Sequence, residues 1–270
     1  MGKNDADRWY IQELTCPELL YRNATEFGEK RFQWWRTGAE STQQNTYSEV
    51  WQIASELSCS LMSMNFAKGD RGAIMAHTCP QWVWADYSIL CSGGVTVCIY
   101  PTLSSEEVKY ILNDSGSSVI YVQDEVLLEK VLAIKSEVPT LEKIIIMDDV
   151  YKSTDDSIST LEDFRQPGIA FNEKKPQLFE ERWLSVSITD LMTIVYTSGT
   201  TGLPKGVVHT HKSFNAACCR DMKQVPFITD NEIWMAFLPL AHTYERECGH
   251  GIAMMSASTI AYSSQVKVVE

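Results

Sequence analysis

The residues best suited to chemistry lie in one short segment, between apolar runs at residues 191–196 and 207–208. The segment contains hydroxyl-bearing residues, glycines and one lysine, namely Thr197, Ser198, Gly199, Thr200, Thr201, Gly202, Lys205 and Gly206. Glycine tolerates positive φ and lets the backbone come close to a ligand, while the hydroxyls and the lysine ammonium add donors and positive charge. This combination predicts a polyphosphate-binding loop whose hydroxyls can also join the coordination shell of Mg²⁺.

The spacing differs from that of the ordinary P-loop, G-x-x-x-x-G-K-[ST], in which a helix starts at the lysine. Counted from Gly199, Pro204 replaces the second glycine, and Gly206 replaces the Ser or Thr that follows the lysine. Proline removes a backbone donor and glycine weakens a helix start, so the sequence predicts a strand, a loop and a second strand. The flanking apolar runs and the lysine argue against the alternative, a flexible surface loop that binds nothing.

The run YTSGTTGLPKGVVHTH, at residues 196–211, resembles the phosphate-loop signature of the adenylate-forming enzymes. That family includes acyl- and aryl-CoA synthetases, peptide-synthetase adenylation domains and luciferases. The resemblance implies that residues 197–206, together with Tyr196, bind the phosphates of ATP. It also implies that the hydroxyl of Thr197 binds Mg²⁺.

Composition describes an ordinary globular protein of 270 residues, 44% hydrophobic and 10% aromatic. The net charge of −12 disfavours a nucleic-acid partner, although one nucleotide needs only a locally positive loop. No pair of the eight cysteines has C-x-x-C spacing, which favours reduced cysteines in a cytosolic protein over a zinc site. Residues 1–10 have no apolar core of the kind a signal peptide has. These features predict a cytoplasmic location and leave peripheral membrane contact open.

Helices and apolar strands alternate between residues 50 and 147, which predicts a layered α/β fold with buried parallel strands and crossover helices. Predicted helices cover residues 15–28, 50–64, 82–92, 108–114, 125–136 and 212–222. Predicted strands cover residues 32–35, 73–76, 95–100, 118–122, 143–147, 184–195, 232–238 and 259–262. Residues 37–45 are predicted to form a polar hairpin tip, and residues 148–181 a surface excursion.

Residues 69–116, which include the runs YPTLSSEE and ILNDSG, resemble the region upstream of the phosphate loop in fatty acyl-CoA synthetases. On the residues alone, packing is the favoured role of the aromatic side chains in this region. Trp82, Trp84 and Tyr87 are therefore assigned to the core or to contacts between subdomains rather than to a ligand.

A histidine follows the predicted strand at 232–238, in the run FLPLAHTYER at residues 237–246. On the residues alone a structural role for His242 is favoured, although ligand-facing groups of open α/β sheets also lie past strand ends. The run resembles the FLPL-x-H-x-x-ER segment of long-chain acyl-CoA synthetases, whose histidine lies at the acyl-adenylate site. The resemblance therefore implies that His242 belongs to the catalytic site.

Two further interpretations concern charged or titratable side chains. Many family members have a tryptophan that gates the fatty-acid tunnel where this chain has Arg246. The alternative for Arg246 is a surface ion pair with no gating role. His209 and His211 would share one face of a strand, and a solvated or packed pair is favoured over a metal site.

The function implied by the resemblance is that of an acid–thiol ligase of the long-chain fatty acid–CoA ligase type. The carboxylate of a fatty acid attacks the α-phosphorus of ATP to give acyl-adenylate and pyrophosphate, and the thiol of coenzyme A then displaces AMP. Lys205, the loop N–H groups and Mg²⁺ would stabilise the charge of the departing pyrophosphate. Lys205 and His242 are the predicted catalytic residues.

Residues 10–270 are predicted to form part of an AMP-binding N-terminal domain, because the family's later motifs and its small C-terminal domain are not found in this sequence. We accordingly expect negligible adenylation by these 270 residues alone. The alternatives are a non-catalytic nucleotide- or acyl-binding remnant and another acyl- or aryl-adenylating ligase. A phosphotransferase that uses the same loop is a more distant one.

Overall fold

A computed structural model describes residues 13–37, 41–197, 203–225 and 227–263. The helices are α1 (Cys16–Glu26), α2 (Tyr47–Ser63), α3 (Pro80–Cys91), α4 (Ser105–Ser115), α5 (Glu125–Leu132), α6 (Leu161–Lys174), α7 (Pro176–Leu184), α8 (His211–Gln224) and α9 (Ile252–Ser256). The strands are β1 (Arg31–Arg36), β2 (Thr42–Thr46), β3 (Arg71–Met75), β4 (Val95–Ile99), β5 (Val119–Val122), β6 (Lys143–Ile146), β7 (Ile158–Thr160), β8 (Leu191–Thr197), β9 (Lys205–Thr210), β10 (Ile233–Ala236) and β11 (Thr259–Tyr262). A π-helix, Glu245–Gly251, precedes α9.

A seven-stranded sheet with the order β7-β6-β5-β3-β4-β8-β9 forms the centre of the fold. Every pair from β7 to β8 is parallel, and β9 pairs antiparallel with β8 at one edge. The central strands are mostly apolar because both faces of the sheet are covered, and every residue of β4 and β5 is buried. The predicted layered α/β fold with parallel strands and flanking helices is confirmed.

Alternate residues of the central strands enter two different cores, one on each face of the sheet. Met75 and Ile99 pack with apolar residues of α4 and α5 on one face. Ile74 and Cys98 belong to the larger core on the other face, which includes residues of α1, α2, α3, α6 and α8. The sheet therefore forms the middle layer of three.

A second, four-stranded sheet has the order β10-β11-β1-β2. Its β1 pairs parallel with β11, so Gln33 lies opposite Ile260 and the two ends of the described chain are joined. The predicted strand at 32–35 is confirmed, but the predicted polar tip at 37–45 is too long, since β2 already begins at Thr42. Residues 38–40 lie outside the described residues.

Helix starts follow the local sequence signals closely. Thr15, Thr46 and Ser104 each accept a hydrogen bond from the backbone N–H three residues on, and the glutamate at that position closes a capping box. Such caps satisfy N–H groups that have no partner within the helix. The predicted starts of α1, α2 and α4 are thereby confirmed to within a few residues.

The predicted surface excursion over residues 148–181 is wrong for most of its length. From residue 158 the chain forms β7, α6 and α7, and Thr160 caps α6. Phe164, Phe179 and Trp183 are buried against the main core. The prolines suggested irregular structure, yet Pro176 is the first residue of α7, where a missing N–H costs nothing. The abundant charged residues occupy the outer face of these amphipathic helices.

Candidate nucleotide-binding site

The predicted strand–loop–strand is confirmed as an antiparallel hairpin of β8 and β9. Its register places Tyr196 opposite Gly206 and Thr197 opposite Lys205, so the last pair before the loop consists of a hydroxyl and an ammonium group. Both of these side chains are exposed. Ser198, Gly199, Thr200, Thr201 and Gly202, which are predicted to complete the loop, lie outside the described residues.

A buried aromatic side chain fixes the hairpin just before the loop. Tyr196 is 7% exposed, and its hydroxyl donates a 2.6 Å hydrogen bond to Oδ2 of Asp114 at the end of α4. Burial, reinforced by the hydrogen bond and negative charge of Asp114, raises the pKa of Tyr196 above its usual value. Tyr196 thus serves as a neutral hydroxyl donor that holds the strand end against α4.

Gly206 has a steric role that differs from the predicted one. Its backbone is part of β9, and it is absent from the described glycines with positive φ, which are Gly69, Gly93 and Gly116. A Cβ at this position would lie 2.8 Å from Cγ2 of Ile194 and 3.2 Å from Cζ of Tyr196. Glycine is required here because the opposite strand and the tyrosine ring leave no room for a side chain.

The described residues fit the phosphates of a nucleotide better than they fit a protein-built metal site. Lys205 offers a point charge and Thr197 a hydroxyl at the mouth of the loop. Within the described ranges there is no cluster of three or more His, Cys, Asp or Glu side chains suited to holding a metal ion. Mg²⁺ is commonly held by one or two protein oxygens together with substrate phosphates, and Thr197 could supply one such oxygen.

The segment that carries His242 is attached to the end of β3. Thr78, three residues past β3, donates a 2.5 Å hydrogen bond to the carbonyl of Leu238 and accepts one of 3.0 Å from the N–H of Leu240. His242 itself is exposed, and its Nδ1 accepts a hydrogen bond from the N–H of Tyr244. The imidazole is therefore accessible on one side of an anchored turn.

Arg246 lies one helical turn beyond His242 and is 2% exposed, so the predicted surface ion pair is wrong. Its Nη2 contacts Oδ1 of Asp86 at 2.5 Å, and its Nη1 donates to Oγ1 of Thr193 in β8. The guanidinium also lies over the ring of Trp82, 5.3 Å from the centroid. The sequence shows no sign of this network, because the ion-pair partners are separated by 160 residues.

These contacts bring both predicted catalytic segments to the carboxyl ends of the parallel strands of the large sheet. Thr197 ends β8 and Thr78 follows β3, and both strands run in the same direction. Only β4 separates the two strands, which places them roughly 10 Å apart. Open α/β sheets bind ligands beyond the carboxyl ends of their strands, and the hairpin and the His242 turn both lie there.

The family of the chain follows from its sequence as a whole. The sequence model of the AMP-binding enzymes matches residues 20–269. The chain belongs to the AMP-binding enzyme family.

Relatives of the chain include long-chain acyl-CoA synthetase 8 of Arabidopsis thaliana, 30% identical over 226 residues that cover 83% of this chain and 31% of that protein. Long-chain fatty-acid–CoA ligase 1 of Schizosaccharomyces pombe is 28% identical over 231 residues, covering 83% of this chain and 33% of the relative. The chain therefore spans about a third of the length of the curated relatives it matches.

Solved structures share the fold at low sequence identity. A long-chain fatty-acid–CoA ligase from Archaeoglobus fulgidus has a TM-score of 0.76 at 18% identity and covers 92% of this chain and 46% of its own. An anthranilate CoA ligase solved with anthranoyl-AMP has a TM-score of 0.77 at 18% identity, covering 95% of this chain and 46% of its own. Both confirm the fold of the N-terminal part of adenylate-forming enzymes.

His211, Trp82 and Tyr87 have packing roles. His211 is buried at the start of α8 rather than on a strand beside His209, and its Nδ1 accepts a hydrogen bond from the N–H of Cys16. Burial lowers the pKa of His211 to about 4. Trp82 and Tyr87 are buried as predicted. The packed interpretation is confirmed for these three side chains.

Two further features of the molecule are the state of its cysteines and the lengths of its helices. All eight cysteines are free, and most are buried, as the sequence predicts for reduced thiols. In the portion of the chain with described structure, every helix is too short or too polar to cross a bilayer.

Proposed function

We propose that the chain forms part of an ATP-dependent ligase that joins a fatty acid to coenzyme A through an acyl-adenylate. In this proposal the hairpin at residues 197–206 binds the ATP phosphates and Lys205 and His242 are the catalytic side chains. Residues 10–270 would belong to the AMP-binding domain, and the protein would act in the cytoplasm, with or without peripheral membrane contact. The names of the curated relatives support this substrate class.

One observation carries the nucleotide part of the proposal. Lys205 and Thr197 form the last pair of the hairpin before the loop, and both side chains are exposed. Buried Tyr196, in the neighbouring pair, holds this end of the hairpin in place. A fixed hairpin end limits the reorganisation that the charged group must undergo when the anion binds. Mg²⁺, when bound, would neutralise further phosphate charge, with Thr197 as the described candidate ligand.

The chemistry assigned to the protein is mainly positioning and charge stabilisation. Attack of a carboxylate on the α-phosphorus brings two anions together and leaves charge on pyrophosphate. Lys205 would stabilise that leaving group from the β9 side of the loop. His242, exposed at the same sheet edge, would orient the carboxylate or the acyl-adenylate. Neither residue needs to form a covalent bond with substrate.

The test is calorimetric titration of MgATP into the 270-residue chain and its Lys205→Ala variant. The loss of one charge-assisted contact should weaken binding at least about tenfold. Lys212→Ala is the matched control, because Lys212 is an exposed lysine seven residues away, on α8. Equal affinity of wild type and Lys205→Ala would overturn the assignment of the loop.

A non-catalytic nucleotide-binding chain is the second candidate. Exchange of pyrophosphate into ATP by the 270 residues in the presence of palmitate would exclude this candidate, whereas an absence of exchange is expected of both candidates. Binding without exchange by the 270 residues agrees with the expectation that they do not adenylate alone. Exchange at the rate of an intact ligase would contradict that expectation.

A further inference from the structure

Asp114 occupies an unfavourable position for helix stability. It lies in the last turn of α4, where the helix dipole places partial negative charge, and within α4 no basic residue of that turn offsets it. Its contact is instead with the hairpin, since Oδ2 accepts the 2.6 Å hydrogen bond from the hydroxyl of Tyr196. Asp114 is an exposed residue, so it is not part of the core.

The end of α4 is held firmly against the sheet. Arg71, the first residue of β3, donates from Nε to the carbonyl of Ser115 at 2.7 Å and from Nη2 to the carbonyl of Gly116 at 3.1 Å. Tyr110, one turn before Asp114, places its ring edge-on to the ring of Tyr196. The helix end therefore offers a fixed hydrogen-bond acceptor to the hairpin.

We propose that Asp114 is a positioning residue for phosphate binding, acting through the hydroxyl of Tyr196 on the strand ends that carry Thr197 and Lys205. The inference deepens the proposed function and rests on it. No contact of Asp114 with the nucleotide is required.

The register of the hairpin explains how the effect would be transmitted. The ring of Tyr196 covers Gly206, which follows Lys205 directly, and Thr197 follows Tyr196 on the opposite strand. A shift of the ring would therefore move Thr197 and Lys205, which flank the loop. On the same side, Leu203 and Pro204 face Tyr110 across a groove of about 440 Å³ beside α4. The helix thus borders the described end of the loop as well as its base.

The test is a double-mutant cycle on MgATP affinity, measured by titration calorimetry on the 270-residue chain. The variants are Asp114→Ala, Tyr196→Phe and the two combined. Each single change should weaken MgATP binding about three- to tenfold. The double variant should bind MgATP no more weakly than the single variant with the lower affinity, because both changes remove the same hydrogen bond. Asp114→Asn should retain most of the affinity, since its amide oxygen can still accept from the tyrosine.

Glu106→Ala is the matched control, because it removes the same charge from an exposed position of the same helix, where the contact is an ion pair with Lys109. It should bind MgATP like wild type. If Asp114→Ala bound MgATP as tightly as Glu106→Ala does, and the wild type bound normally, the inference would be overturned and the proposed function would stand. So would additive effects of the two single changes. A wild-type chain that does not bind MgATP would overturn the proposed function itself.

Discussion

The guanidinium of Arg246 and the carboxylate of Asp86 lie 2.5 Å apart with both side chains almost fully buried. Asp86 also accepts a 2.6 Å hydrogen bond from Thr96, and Arg246 donates to Thr193 in β8. The pair therefore joins α3, two central strands and the π-helix that follows His242. Because both charged groups are shielded from water, the stability of this segment depends on the ion pair between them.

Removing one partner of this pair should be strongly destabilising. Arg246→Met leaves the carboxylate of Asp86 buried without its cation, which costs about 3–5 kcal/mol of unfolding free energy. The double variant Arg246→Met/Asp86→Leu leaves no unpaired charge and should recover at least about 2 kcal/mol of that loss. Urea unfolding of the three proteins gives the comparison. A single-variant cost below about 1 kcal/mol would mean that water reaches the site.

Glu245 should make the fold less stable as pH rises. It is 4% exposed, and burial raises its pKa to about 7 from an ordinary 4.5. Because the folded state holds the proton more tightly, the stability from this group is fully present below pH 4.5 and is lost as pH rises through 7. The Glu245→Gln variant should melt higher than wild type at pH 8, with a flatter profile between pH 5 and 8. Glu173→Gln, at an exposed position of α6, is the control.

His211 should make the fold less stable as pH falls, which is the opposite of the effect expected for Glu245. Burial is the main cause that lowers its pKa to about 4, and the neutral ring accepts the N–H of Cys16. A depressed pKa means that its stability is present above pH 6.5 and is lost as pH falls through 4. His211→Asn keeps an acceptor without titrating in this range, so its melting temperature should fall less between pH 6.5 and 4. An unchanged acid slope would show that the ring is solvated.

Gly168 marks the close approach of α6 to α2. A Cβ there would lie 1.8 Å from the carbonyl oxygen of Glu56 and 2.8 Å from the backbone nitrogen of Ser60. Gly168→Ala must push the two helices apart, and we expect a loss of at least about 2–3 kcal/mol in urea unfolding. Glu173→Ala, exposed on the same helix, should change stability by no more than about 0.5 kcal/mol. A neutral Gly168→Ala would contradict the packing of α6.

The sequence predicted those features whose causes are local. The capping residues Thr15, Thr46 and Ser104 act on backbone groups three residues away, so their pattern is visible in any short window. The hairpin was predictable because Pro204 and Gly206 exclude a helix start after the loop. For α6 and α7, charges on the outer face concealed the buried Phe164 and Trp183.

Contacts between distant parts of the chain were not predictable. The alternative given for Arg246 from the sequence was a surface ion pair, but its side chain is buried and its partner is Asp86 on α3. Asp114 lies in the run ILNDSG that carries part of the family resemblance, but this run does not indicate a partner for its side chain. Its relation to Tyr196 depends on how α4 crosses the end of β8, which only the tertiary structure gives. Nothing in the local sequence around either residue specifies such a partner.

The central claim, that the hairpin binds the phosphates of ATP, is tested most directly by amide hydrogen exchange with and without MgATP. Wild type should show slowed exchange in the peptide that contains residues 197–206, because the nucleotide would occupy its N–H groups. At an MgATP concentration close to the wild-type dissociation constant, Lys205→Ala should lose most of that protection while Lys212→Ala keeps it. Unchanged exchange in this peptide at saturating MgATP, or protection confined to other parts of the chain, would contradict the account.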